Sequence, residues 1–81
     1  MRFEFSRSAE KELSKLNKGL GQRIYKKIVF LAKNPKLVKS TKLKGEDSFR
    51  IRIGDYRVVY IIEERTIVVI KIRHRRDVYK F

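Results

Sequence analysis

The chain has 81 residues, 42% of them apolar, enough for one modest core and too apolar for a disordered tail. It carries 22 lysines and arginines against nine acids, a net charge of +13 that calls for a polyanionic partner such as nucleic acid, a ribosome or an acidic protein. The absence of cysteine excludes disulfides and thiolate metal ligands, the charged opening MRFEFSRSAEKE excludes a signal peptide, and the longest apolar run (58–62) is too short for a bilayer. The expectation is a single domain over 1–81, soluble and cytoplasmic, with no membrane partner.

Residues 2–5 alternate, with Phe3 and Phe5 on one side, and predict a short strand. Ser6 suits a helix N-cap, and Ala9, Leu13 and Leu16 fall at the i, i+4, i+7 spacing of an amphipathic helix. Asn17-Lys18-Gly19 breaks it. A second helix is predicted over 21–33, with Ile24, Ile28 and Leu31 as its apolar stripe and Lys26 and Lys27 facing water. Asn34-Pro35 ends that helix, because the residue before proline disfavours helical geometry. Residues 36–48 read as a polar, lysine-rich loop. Strands are predicted over 49–53, 56–62 and 66–73, joined by Gly54-Asp55 and by Glu63-Glu64-Arg65, connections short enough for antiparallel hairpins. The fold class is therefore α+β, in the order β-α-α-β-β-β, with the helical hairpin on one face of a mainly antiparallel sheet.

The two cation types are segregated. Ten of the 12 lysines precede residue 45, whereas seven of the ten arginines lie between Arg50 and Arg76. Lysine is a well-hydrated point charge suited to solvated helix faces; arginine is a planar fork suited to bidentate phosphate contact. In FRIRIGDYRVVY, Arg50 and Arg52 share one strand face and Phe49, Ile51 and Ile53 the other. Two alternating arginines equally fit the wet side of any antiparallel strand. Arg57 is more telling, because it sits between apolar Tyr56 and Val58. In the last strand Lys71, Arg73 and Arg75 share parity opposite Ile70 and Ile72, and a curved sheet would let Arg50, Arg52, Arg57 and Arg75 converge. His74 has the parity of Ile72, towards the helices, which favours a structural role over proton transfer; it is the one side chain that ordinarily titrates near neutrality. Tyr79 is either a packing aromatic or a stacking platform for a base. Lys42 and Lys44 offer diffuse backbone contacts at most.

There is no P-loop, metal-ligand cluster or nucleophile triad, and the acids are scattered, so neither metal nor cofactor is expected. Strand scission without a metal has to use the 2′-hydroxyl of RNA as nucleophile, with cations placed around the phosphorane-like transition state.

KLKG, FRIRIGDYRVVY and IRHRRDVY, each at its place along the chain, resemble the RelE/ParE toxin superfamily, and the resemblance extends over the opening strand and helical hairpin. Alternate basic residues before the turn and a tyrosine after the HRR tail are similar to the RelE side. The resemblance implies a toxin of a type II toxin–antitoxin system: a ribosome-dependent endoribonuclease that cuts mRNA in the A site by metal-independent 2′-hydroxyl attack. It also implies partners: an acidic RelB-like antitoxin, the ribosome with its mRNA, and operator DNA only through the antitoxin complex. By the same resemblance Arg50 and Arg52 stand where two lysines contact the scissile nucleotide, Arg57 stabilises transition-state charge, Arg75 helps protonate the leaving group, and Tyr79 stacks on the base. Lys42, Lys44, Lys71 and Arg73 fall to RNA binding. Two departures matter. Arginine is no general base near neutral pH, which leaves Tyr79 and His74 as candidates for proton transfer; and Arg73 occupies a position where many relatives have glycine. The alternatives are a ParE-like gyrase inhibitor and a catalytically weak RNA-binding relative.

Overall fold

The structure, a computed structural model, describes residues 1–38, 40–42 and 48–78, the last two as backbone only. Strand β1 (Arg2–Phe5) leads into helix α1 (Arg7–Ser14), capped by the Ser6 hydroxyl, which accepts from the Ala9 N–H at 3.2 Å. Helix α2 (Lys18–Lys33) begins earlier than periodicity alone predicts. Asn17, part of the expected break, is itself the N-cap and accepts from the Leu20 N–H at 2.9 Å, drawing Lys18 to Leu20 into the first turn. At its other end the Asn34 N–H closes onto the Phe30 carbonyl at 2.8 Å and Pro35 prevents continuation.

Within the loop expected at 36–48, a two-residue strand β2 (Thr41–Lys42) pairs with β3 (Ser48–Ile53). Then follow β4 (Tyr56–Glu63), β5 (Thr66–His74) and a single helical turn, α3 (Arg75–Val78). The five strands run β1-β5-β4-β3-β2, and every neighbour is antiparallel except β1 and β5. The first strand thus pairs with the last and puts β5 inside the sheet, as its apolar sequence requires.

One face of the sheet carries Ile51, Ile53, Val58, Tyr60, Ile67, Val69 and Ile72, all buried against Ala9, Ile24, Ile28 and Leu31 of the helices. In β5 these inward residues break the period of two, since Val69 and Ile72 are three apart. A bulge resolves this: Val59 faces Lys71, Tyr60 faces Val69, and Ile70 has no partner between them. Ile70 accordingly stays half-exposed and does not join Ile72 in the core, contrary to the parity expected of it.

The two tight turns differ in quality. Gly54 takes φ +58° at the first central position of the β3–β4 turn, where glycine is unstrained. The β4–β5 turn needs only Glu64-Arg65, without Glu63, and both adopt positive φ (48° and 62°). Side chains other than Asn or Gly are disfavoured there. Replacing the pair by Asn-Gly is expected to raise stability by about 1 kcal/mol, seen as a melting temperature higher by ~4–8 °C. An unchanged or lower midpoint would show that the turn is not strained.

Candidate functional site

On the face of the sheet away from the helices, strand register converts sequence parity into a grid. Arg52 is directly opposite Arg57, and Arg57 is directly opposite Arg73, so three arginines form a row across β3, β4 and β5. One step along, Arg50 is opposite Val59 and Val59 opposite Lys71, a second row with cations at both ends. Directly opposed residues bring their Cβ atoms to about 4.5–5.5 Å, and like charges so placed destabilise the sheet. Arg50 and Arg57 are half-buried, Arg52 and Lys71 exposed. A row of guanidinium groups, two of them half-buried, is electrostatically suited to an anion, whose charge would lower their mutual repulsion.

The third arginine is already partnered. Beyond Phe5 the edge of β5 is taken over by α1: the Ser6 N–H donates to the Val69 carbonyl at 2.9 Å, and the helix then runs alongside the strand. This places Glu12 in an ion pair with Arg73, whose Nη1 also donates to the Ile72 carbonyl at 3.2 Å. Arg73 is therefore committed to the fold to an extent the sequence did not reveal. Arg57, between Arg52 and the compensated Arg73, is the central charge of the row.

The other expected residues are placed as follows. Arg75 leaves the strand. The strand ends at His74, and Arg75 opens α3 with an exposed side chain, its N–H held by the Asp55 carbonyl at 2.7 Å, so strand parity does not align it with Lys71 and Arg73. Lys42 is exposed and opposite Phe49, on the helix side of the sheet; its neighbour Thr41, opposite Arg50, is the one that borders the grid. Lys44 and Tyr79 lie outside the described residues. His74 is turned to the helix side. It lies opposite Tyr56, the two rings meeting edge to face at 5.1 Å, and its Nδ1 accepts from the Arg76 N–H at 3.2 Å. That is the geometry of a helix N-cap, with imidazole in the role usually taken by Ser or Asn. The cap and the Asp55 contact together fix where the C-terminal turn leaves the sheet.

Sequence reasoning missed Arg23 and Phe30. Both stand on α2 beside Lys26 and Lys27 at the i, i+3, i+4, i+7 spacing, a signal present in the sequence but eclipsed by the apolar stripe.

Glu12→Gln is expected to lower stability by no more than ~1 kcal/mol, because the pair is only partly shielded, and to steepen the salt dependence of single-stranded RNA binding by about 0.7 as Arg73 becomes available. Equal slopes for variant and wild type would show that Arg73 does not reach RNA. His74→Ala is expected to cost about 1 kcal/mol in thermal or urea unfolding, with most of it restored by His74→Asn, which can still cap. Equal losses in the two variants would remove the capping role.

Comparison with known proteins gives a consistent picture. The family model described as the ParE toxin of the type II toxin–antitoxin system parDE matches residues 3–79. An Escherichia coli protein whose name marks it as a RelE-like toxin is 35% identical, over 98% of this chain and 92% of its own. Among solved structures, the RelBE2 toxin–antitoxin complex of Mycobacterium tuberculosis is similar with a TM-score of 0.79 at 26% identity, covering 91% of this chain and 96% of the other. The isolated RelE toxin of E. coli gives 0.75 at 27% identity, covering 98% and 90%. The RelB–RelE antitoxin–toxin complex of Methanococcus jannaschii gives 0.76 at 25% identity, with 94% of each chain covered.

Proposed function

The chain belongs to the RelE/ParE superfamily of toxins from type II toxin–antitoxin systems, and on that premise we propose that it is a ribosome-dependent endoribonuclease cutting mRNA in the A site. The observation that carries this reading is the cross-strand row Arg52, Arg57, Arg73 with Arg50 and Lys71 beside it. In the reaction the 2′-oxygen forms a bond to the adjacent phosphorus while the bond to the 5′-oxygen breaks. The products are a 2′,3′-cyclic phosphate and a 5′-hydroxyl. Negative charge grows on the phosphoryl oxygens at the transition state, and prepositioned cations stabilise it there more than in the ground state. Arg57, at the centre of the row, faces the phosphorane. Arg50 and Arg52 grip the flanking phosphate, and Arg75 assists the leaving oxygen. Fixed guanidinium charges supply what a metal ion supplies elsewhere, so the reaction is metal-independent.

Proton transfer needs a group other than Arg50 or Arg52, since a guanidinium cannot accept a proton near neutrality. Of the two candidates, His74 sits on the opposite face with Nδ1 engaged by the Arg76 N–H. Tyr79 is thus assigned both base stacking and a part in proton transfer. The neutralising partner is an acidic, RelB-like antitoxin. Half-buried Val59, Ile61 and Val68 lie on the same face as the arginines, a combination suited to an amphipathic acidic segment, and operator DNA is reached only through that complex. The proposed location is the cytoplasm; among the described residues no helix is long and apolar enough to cross a membrane. The match to the ParE model supports a second reading, inhibition of DNA gyrase without nuclease chemistry.

Primer extension on translated mRNA separates these readings. Cleavage is expected within the A-site codon, to leave a cyclic phosphate, and to vanish when a single 2′-deoxynucleotide replaces the nucleotide 5′ of the cut. Arg57→Ala is expected to slow it by roughly 10²–10³-fold with a melting temperature no lower than that of wild type, since the central like charge of the row is removed. Persistent cutting at the deoxy site would exclude 2′-hydroxyl attack, and loss of gyrase supercoiling without any mRNA cleavage would establish the second reading.

A further inference from the structure

The basic surface does not stop at the sheet face. Arg52 lies at its border: its Nε donates to the Gly54 carbonyl at 3.4 Å, and its side chain also lines an open groove of about 430 Å³ between α2 and the end of β3. The rest of the lining is Arg23, Lys26, Lys27, Phe30, Ile53 and Gly54. With Arg52, four of the lining side chains are cationic and none is acidic. The helix side of the groove is a single stripe, Arg23, Lys26, Lys27 and Phe30, distinct from the Ile24, Ile28, Leu31 stripe that enters the core. No ion pair engages any of the four cations among the described residues, whereas Arg73 on the sheet face has Glu12. Phe30 is 45% exposed, and the Lys27 ammonium lies 6.0 Å from its ring centre. Arg23 closes over the turn: its Nη1 would be 3.5 Å from a Cβ at position 54, so this wall of the groove is formed by bare glycine backbone and a guanidinium.

We propose that this groove is a second RNA subsite, in which the strand leaving the sheet face turns over Gly54, places its phosphates between Arg23, Lys26 and Arg52, and stacks one base on Phe30. Two features favour single-stranded RNA over an acidic polypeptide. Arginine forks stand on both walls of the groove, matched to the planar, bidentate geometry of phosphate. An exposed aromatic ring beside a track of cations is the arrangement that holds unpaired bases. Arg52 belongs to both sites, so the two are one continuous path and not separate patches. The assignment rests on the reading of the sheet face as an RNA site, but not on cleavage.

The test uses a fluorescent, fully 2′-O-methylated RNA 12-mer, which cannot be cut by 2′-hydroxyl attack, titrated by anisotropy over a range of salt concentrations. The proteins are wild type, Arg23→Ala/Lys26→Ala/Lys27→Ala, Phe30→Ala and Arg57→Ala. The triple variant is expected to lose about 1.4 from the salt slope, two phosphate contacts at ~0.7 each, and at least ~10-fold in affinity at moderate salt. Phe30→Ala is expected to weaken binding by roughly 5- to 150-fold with the slope unchanged. Should the triple variant melt early, Lys26→Gln alone, on the exposed rim, is expected to lose about 0.7 of slope. Wild-type slope and affinity in the groove variants, with binding lost in Arg57→Ala, would overturn the groove while leaving the sheet face as an RNA site. Undiminished binding in all variants would overturn both. If the groove variants bind RNA normally but lose affinity for polyglutamate, the groove takes an acidic protein segment and the RNA assignment is wrong.

Discussion

The β4–β5 register, with its single bulge at Ile70, is the constraint on which both faces of the sheet depend. Ile67 and Val69 face the helices from odd positions, Ile72 from an even one. Unbroken alternation would turn Lys71 and Arg73 inward with Ile67 and Val69, burying two cations against Ile24 and Ile28, at a desolvation penalty no small core can offset. One extra residue changes the phase. It keeps the apolar set inward over the whole strand and delivers Arg73 to a position opposite Arg57. The cationic row and the core are therefore two consequences of one irregularity.

A row of opposed arginines works against the sheet that holds it, and the surroundings show how the repulsion is contained. Glu12, brought to β5 because α1 continues where β1 ends, neutralises one end of the row. Arg52 at the other end donates to the Gly54 carbonyl and borders the groove beside α2. What remains is concentrated at the centre, where the proposed phosphate contact would relieve it. Folding and anion binding thus bear on the same charges, and stability in this protein is expected to rise whenever the face is occupied.

The C-terminal turn is positioned by a different kind of contact. His74 ends β5, packs on Tyr56 and caps α3 through Nδ1, while Asp55 holds the Arg75 N–H. The β3–β4 hairpin that carries Arg52 and Arg57 therefore also orients the departing tail. The sole histidine serves this geometry from the helix side of the sheet, which separates it from the cations its sequence neighbours suggest.

Much of this was already in the sequence. Alternation in 49–53 fixed which side Arg50 and Arg52 take, the i, i+4, i+7 stripes found both helices, and Gly54 marked a turn that requires positive φ; all three are local, set by periodicity and backbone sterics. Tertiary structure alone decided what depends on residues distant in the chain. These are the Arg52–Arg57–Arg73 alignment, the bulge that excludes Ile70 from the core, the Glu12 ion pair, the parallel pairing of β1 with β5, and the departure of Arg75 from the strand. Parity tells which face a residue takes but not which residue lies across from it. That second fact is set by strand pairing over long separations, and it is what brings scattered arginines into one row.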